Sequence, residues 1–168
     1  MSLLPSNPLW ARALLSACAA SALAVFLTGC PKPKVKVPGV TGKARDLKLS
    51  VHVSPEANGR NPVALDLLLV SDKELLKELK KMTASQWFER REQIVLDHPK
   101  KGELVVVSRE WSPGQVVAPE GLKVAAETKA AVVFANYFNP GEHRAVLDPR
   151  RDILIKLGEE KLEVVAGK

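Results

Sequence analysis

Apolar and polar residues alternate strictly from Leu47 to Val53, with Leu47, Leu49, Val51 and Val53 on one side and Lys48, Ser50 and His52 on the other. A period of two predicts a strand with one face buried. The alternation returns at Val63, Leu65, Leu67 and Leu69 and predicts a second strand over Val63–Val70. Between the two, Ser54–Pro62 is dense in Pro, Asn and Gly, which predicts a loop. The period then changes. Leu75, Leu76, Leu79 and Met82 recur at helical spacing with lysines opposite, and Ser71 followed by Glu74 has the spacing of a capping box. A short amphipathic helix is therefore predicted over about Asp72–Lys81. Thr83 and Gln86 repeat the capping spacing, so a further helical turn would carry Trp87 and Phe88 into the core.

The rest of the chain reads as strands punctuated by turns: Gln93–Leu96, Glu103–Ser108, Gln115–Ala118, Lys129–Phe138, Ile153–Leu157 and Leu162–Val165. The run Ala130–Ala135 is apolar on both faces and is expected to be the central strand. Gly158–Lys161 is expected to join the last two strands as a hairpin. Many short strands with one helical stretch predict a mainly β fold, an antiparallel β-sandwich with a short helical insertion after the second strand.

The N-terminal segment changes the picture of where this domain works. A single charge at Arg12 precedes an apolar and small-residue run from Ala13 to Leu27, which ends in Leu27-Thr28-Gly29-Cys30. Such a run reads as a secretory signal. It is too short for the roughly 20 residues of a spanning helix. Leu, a hydroxyl residue, Gly and Cys in this order resemble the lipobox of bacterial lipoproteins. Residues 1–29 are then a removed signal peptide and Cys30 is the lipid attachment site, carrying diacylglycerol and an N-acyl chain such as palmitate. An ordinary signal peptide with a chance cysteine is the other reading. Pro31, where inner-membrane lipoproteins often carry Asp, implies the periplasmic face of the outer membrane. Residues 30–45 read as a Pro-, Lys- and Gly-rich tether, and residues 46–168 as one folded domain. Cys18 falls in the removed part, so the mature chain can form no intramolecular disulfide.

The formal net charge is +6. Lys32, Lys34, Lys36 and Lys43 all lie in the tether, where they can rest against anionic lipid head groups. No basic stripe with interleaved aromatics marks the domain, so nucleic acid is not an expected partner. Candidate chemistry is equally thin. His52, His98 and His143 stand alone, without the paired short spacings of metal ligands. The sequence has no nucleophile elbow and no phosphate-binding glycine loop. Glu89 and Glu92 interleave with Arg90 and Arg91, and Asp148 to Asp152 form a charged turn; both read as solvated surface. Trp111 is either an exposed anchor or a cap on the sandwich. Catalysis, a cofactor, a metal and a small-molecule substrate are therefore not expected.

The order of these features resembles the outer-membrane lipoprotein of type VI secretion systems, the TssJ family. The resemblance rests on the lipobox, the loop Ser54–Pro62 between two strands, the helical part ending in Trp87-Phe88, and Arg91–Leu96. It departs where the family's loop opens with Asn-Pro-Asn and this chain has Ser54-Pro55-Glu56. The resemblance implies a transthyretin-like sandwich that binds the periplasmic C-terminal region of the large inner-membrane subunit, the TssM family. It also implies that the loop makes this contact. Carried onto this chain, the partner-binding residues are Glu56, Asn58, Gly59, Arg60 and Asn61. Arg60 stands out because a guanidinium makes bidentate contacts that lysine cannot. An accessory or pilotin-like lipoprotein of another envelope assembly is the alternative.

Overall fold

The computed structural model describes residues 44–166, so the expected signal peptide, Cys30 and the tether up to Lys43 lie outside the described residues. Eight strands form two four-stranded sheets. One holds β1 (Arg45–Val53), β4 (Glu120–Val124), β7 (Ile153–Leu157) and β8 (Leu162–Ala166) in the order β4-β1-β7-β8. The other holds β2 (Val63–Val70), β3 (Leu104–Trp111), β5 (Ala130–Asn136) and β6 (Arg144–Leu147) in the order β3-β2-β5-β6. Two helices, α1 (Lys73–Leu79) and α2 (Ala84–Asp97), are inserted after β2. Every ladder is antiparallel except β1 with β7, which runs parallel from Leu49 beside Ile153 to Val53 beside Leu157. A parallel pair needs a long connection, and the whole second sheet supplies it.

The alternation of β1 places Leu47, Leu49, Val51 and Val53 against Leu65, Leu67, Leu69, Ala131, Val133 and Ala135 of the facing sheet. That is the first core. Trp111 belongs to it at 6% exposure, which makes it a cap on the sandwich. A second core lies behind the other sheet, where Leu68, Val70, Val132 and Phe134 meet Leu75, Leu79, Met82, Trp87 and Ile94 from the helices. β5 is thus buried on both faces, as its apolar run requires. Trp87 stacks on Phe134 with ring centroids 5.4 Å apart, a geometry worth about 0.5–1.5 kcal/mol beyond area burial. Phe88 is half-buried, with the Arg91 guanidinium 5.3 Å over its ring.

Four local expectations are corrected. Gln93–Leu96 is not a strand but the end of α2. The Thr83–Gln86 capping box starts a helix of 14 residues, and Ala84, Trp87 and Ile94 fall on its buried face. Gln115–Ala118 forms no strand: Val116 is 95% exposed and makes one isolated bridge to His52. The adjacent strand is β4, whose Leu122 and Val124 alternate into the core. β6 occupies a stretch with no predicted element. Finally, the first helix is capped by Asp72 and not by Ser71. The Asp72 carboxylate accepts the Leu75 amide at 2.7 Å. Ser71 instead closes the end of β2, its N–H donating to Glu103 O at 2.9 Å, and its buried hydroxyl has no hydrogen-bond partner among the described residues.

This assignment separates two neighbouring variants. Asp72→Ala is expected to lower the melting temperature measurably, whereas Ser71→Ala leaves it unchanged or raises it, because an unpartnered buried hydroxyl only costs desolvation. Thermal unfolding followed by circular dichroism makes the comparison.

Candidate functional site

The connection between β1 and β2 is built from an unusual backbone. Ala57–Gly59 forms one 3-10 turn, and Asn58, Gly59 and Arg60 carry φ values of +50°, +58° and +67°. Glycine adopts this region freely and asparagine tolerates it, but for arginine it is strained. The turn persists because it is tied from several sides. Ser54 N–H donates to Leu157 O at 2.9 Å, Gly114 N–H to Ser54 O at 3.1 Å, and Asn58 N–H to Gly158 O at 3.2 Å.

Asn58 is the centre of these ties. It is 4% exposed, its amide donates to Pro62 O at 3.0 Å, and its Oδ1 accepts the Phe138 N–H at 2.8 Å. One side chain thus joins the β1–β2 loop to the β5–β6 loop, while its own backbone N–H reaches the β7–β8 hairpin. Asn61 works the same way at shorter range, donating to the carbonyls of Asn58 and Gly59 at 3.1 and 3.0 Å. Asn58, expected as a partner contact, is therefore found turned into the protein. It turns inward because the packed loops offer both a donor and an acceptor that water cannot reach.

Glu56 and Arg60 face outward. They form a bidentate pair, Arg60 Nε to Glu56 Oε2 at 2.7 Å and the second guanidinium nitrogen to Oε1 at 3.1 Å. This hydrogen bonding holds the Glu56 carboxyl below its ordinary range and the Arg60 guanidinium above its own. Exposed pairs of this kind contribute little to stability, so either charge can be turned to another molecule at small cost. Gly59 is exposed between them.

The residue that sequence reasoning missed is Phe138, assigned there to the end of a strand. β5 stops at Asn136, and Phe138 stands 78% exposed beside the loop, its backbone fixed by Asn58. The signal for it was the Asn139-Pro140-Gly141 turn that follows, which ends the strand early. Tyr137 turns the other way, its hydroxyl donating to Gly158 O at 3.2 Å and its ring stacked on His143 at 4.7 Å. A shallow cleft of about 400 Å³ borders the hairpin and is lined by His52, Ser54, Lys156, Glu159, Glu160 and Glu163. This end thus presents a loop tied down from several sides, an outward ion pair and an exposed aromatic ring.

No protein-family model matches the chain, and no curated protein does. Solved structures do match. The type VI secretion lipoprotein TssJ1 of Pseudomonas aeruginosa superposes with a TM-score of 0.58 at 18% identity, covering 75% of this chain and 98% of that one. Lip of Serratia marcescens, a membrane-bound component of the type VI secretion system, gives 0.57 at 16% identity over 73% and 97%. A chain of a type VI membrane complex gives 0.55 at 16% identity over 73% and 99%. The chain has the TssJ fold. The fold is thus shared over nearly the full length of each of those chains, at identities that leave the surfaces free to differ.

Two measurements check this site. Asn58→Ala strands the Phe138 N–H and the Pro62 carbonyl, and is expected to cost about 2–4 kcal/mol in urea unfolding. Burial pushes the Tyr137 phenol up from 10.0 to about 12. Tyr137 is the chain's one tyrosine, so phenolate absorbance reports it alone. The native protein should titrate near 12, with the stability linked to the neutral phenol complete below pH 10 and lost as the pH rises from 10 to 12.

Proposed function

We propose that this protein is a non-enzymatic adaptor of a type VI secretion membrane complex, a lipoprotein held at the periplasmic face of the outer membrane by lipid on Cys30. In this reading the loop end of the sandwich binds the periplasmic C-terminal region of the large inner-membrane subunit, the TssM family. The observation that carries the proposal is the shared fold, which extends over 97–99% of each of the three type VI proteins compared. The lipobox supports the same reading.

The geometry of β1 fits the role. The chain enters the sandwich at Arg45, and the loop begins where β1 ends at Val53. At about 3.3 Å per residue, nine residues set the loop roughly 30 Å from the point of entry. The loop and the point where the tether joins the domain thus lie at opposite ends of β1. Glu56, Gly59 and Arg60 are the exposed contacts, Asn58 and Asn61 hold them in place, and Phe138 adds an apolar anchor of the kind that dominates interface energetics.

Affinity purification of the lipidated protein from its own envelope tests the role. Retention of the large inner-membrane subunit is expected, and Arg60→Ala together with Phe138→Ser should weaken it about tenfold or more with the fold intact. Absence of that subunit would remove the adaptor role, whereas retention unaffected by the two substitutions would move the contact elsewhere on the domain. Cys30→Ser should release the protein from the membrane fraction.

A further inference from the structure

The back of the second sheet is covered unevenly. α2 packs over β5, and the sheet order sets β3 two strands away at the edge. A groove of about 520 Å³ is left between the C-terminal half of α2 and the outer face of β3. Trp87, Val95, Leu96 and Val106 give it apolar walls, with Val95 44% and Leu96 72% exposed. Its volume lies within the range of ligand and side-chain binding sites.

Asp66 lines this groove from the middle of β2 and is 1% exposed. Its Oδ2 accepts two hydrogen bonds, from Trp87 Nε1 at 2.8 Å and from the Arg91 guanidinium at 3.4 Å. Among the described residues Oδ1 accepts none. A buried carboxylate costs desolvation that two bonds to one oxygen offset only in part. Oδ2 serves the buried indole N–H of Trp87, whereas Leu68 and Val70 on the same face of β2 pack into a purely apolar cluster. Arg91 does not saturate it, being half-buried over the Phe88 ring and only at the outer limit of hydrogen-bond distance. Glu92 adds a second carboxylate at the rim, so the groove holds two acidic groups against one basic group.

We propose that this groove receives an apolar segment of a protein partner carrying one lysine or arginine, whose cation meets Asp66 Oδ1 and Glu92. The apolar walls take the neighbouring side chains and the alkyl stem of the basic residue, while the carboxylates take its head. The groove is distinct from the loop end, and the inference does not rest on the adaptor reading.

The test is photo-crosslinking in the cell with the full lipidated chain, the crosslinker p-benzoylphenylalanine being placed at Val95 or at Ser108. An adduct is expected from both positions, and mass spectrometry should map it to a partner peptide with a lysine or arginine among apolar residues. Asp66→Asn and Glu92→Lys should each lower its yield about tenfold. Glu92 is exposed, so Glu92→Lys decides the matter if Asp66→Asn impairs folding. The proposal is overturned by the absence of adducts, by a linked peptide without a basic residue, by linkage to a second copy of this chain, or by yields that both substitutions leave unchanged. Adducts from a crosslinker at Arg60 report the loop end separately, so loss at one surface is distinguishable from loss at the other.

Discussion

The residues of β2 point alternately into two different cores, and the placement of nearly every other element follows from that. Leu65, Leu67 and Leu69 enter the space between the sheets, while Leu68 and Val70 enter the space under the helices. A slip of one residue against β3 or β5 would exchange the two sets and leave Asp66 inside the sandwich. β2 cannot therefore be left with a bare back. The helical insertion follows at once, with Asp72 capping α1 two residues after the strand ends. Trp87 then closes the second core by stacking on Phe134, the residue of β5 paired with Asp66. The other sheet has no such constraint, and β1 keeps Lys48 and His52 on a wet face.

This difference also governs how much of the fold the sequence made legible. β1 shows its buried and exposed sides by alternation because one side meets water. β2 reads correctly in extent, but alternation alone concealed that its second face is also buried. The short apolar run Ile94-Val95-Leu96 fits a strand or a helix equally by period. It is helical because the capping box at Thr83 and Gln86 starts a helix that nothing stops before Asp97. Ser71 and Asp72 both have the chemistry of a cap, and only the tie of Ser71 to Glu103 decides between them. β4 and β6 went unread for a related reason, since each is short and next to turn residues.

At the loop end the boundaries were legible and the roles were not. Pro55, Gly59 and Pro62 mark Ser54–Pro62 as a loop whatever the fold. That Asn58 turns inward depends on the backbone N–H of Phe138, far away in sequence, and no local pattern carries that information. Phe138 was hidden by strand-like neighbours, although the Asn139-Pro140-Gly141 turn and the pairing with the loop together end β5 early. The polar residues of this loop thus divide by whether surrounding backbone offers them partners. Asn58 and Asn61 are consumed by the architecture, and Glu56 and Arg60 are left for the outside.

Asn58 and Asp66 are the two buried polar residues among those described, and their contrast gives a criterion for separating scaffold from site. Asn58 uses both ends of its amide within the protein, so its burial is compensated and its effect is rigidity. That rigidity keeps Arg60 in a left-handed conformation it would otherwise leave, which is the kind of local strain a scaffold maintains where a side chain must be presented. Asp66 uses one oxygen and leaves the other at an apolar groove. The carboxylate is held through that one oxygen by Trp87 and Arg91, and the other is left for a further donor. A cationic partner in the groove would supply that donor, and the apolar walls around it would strengthen the bond and so favour one ligand chemistry.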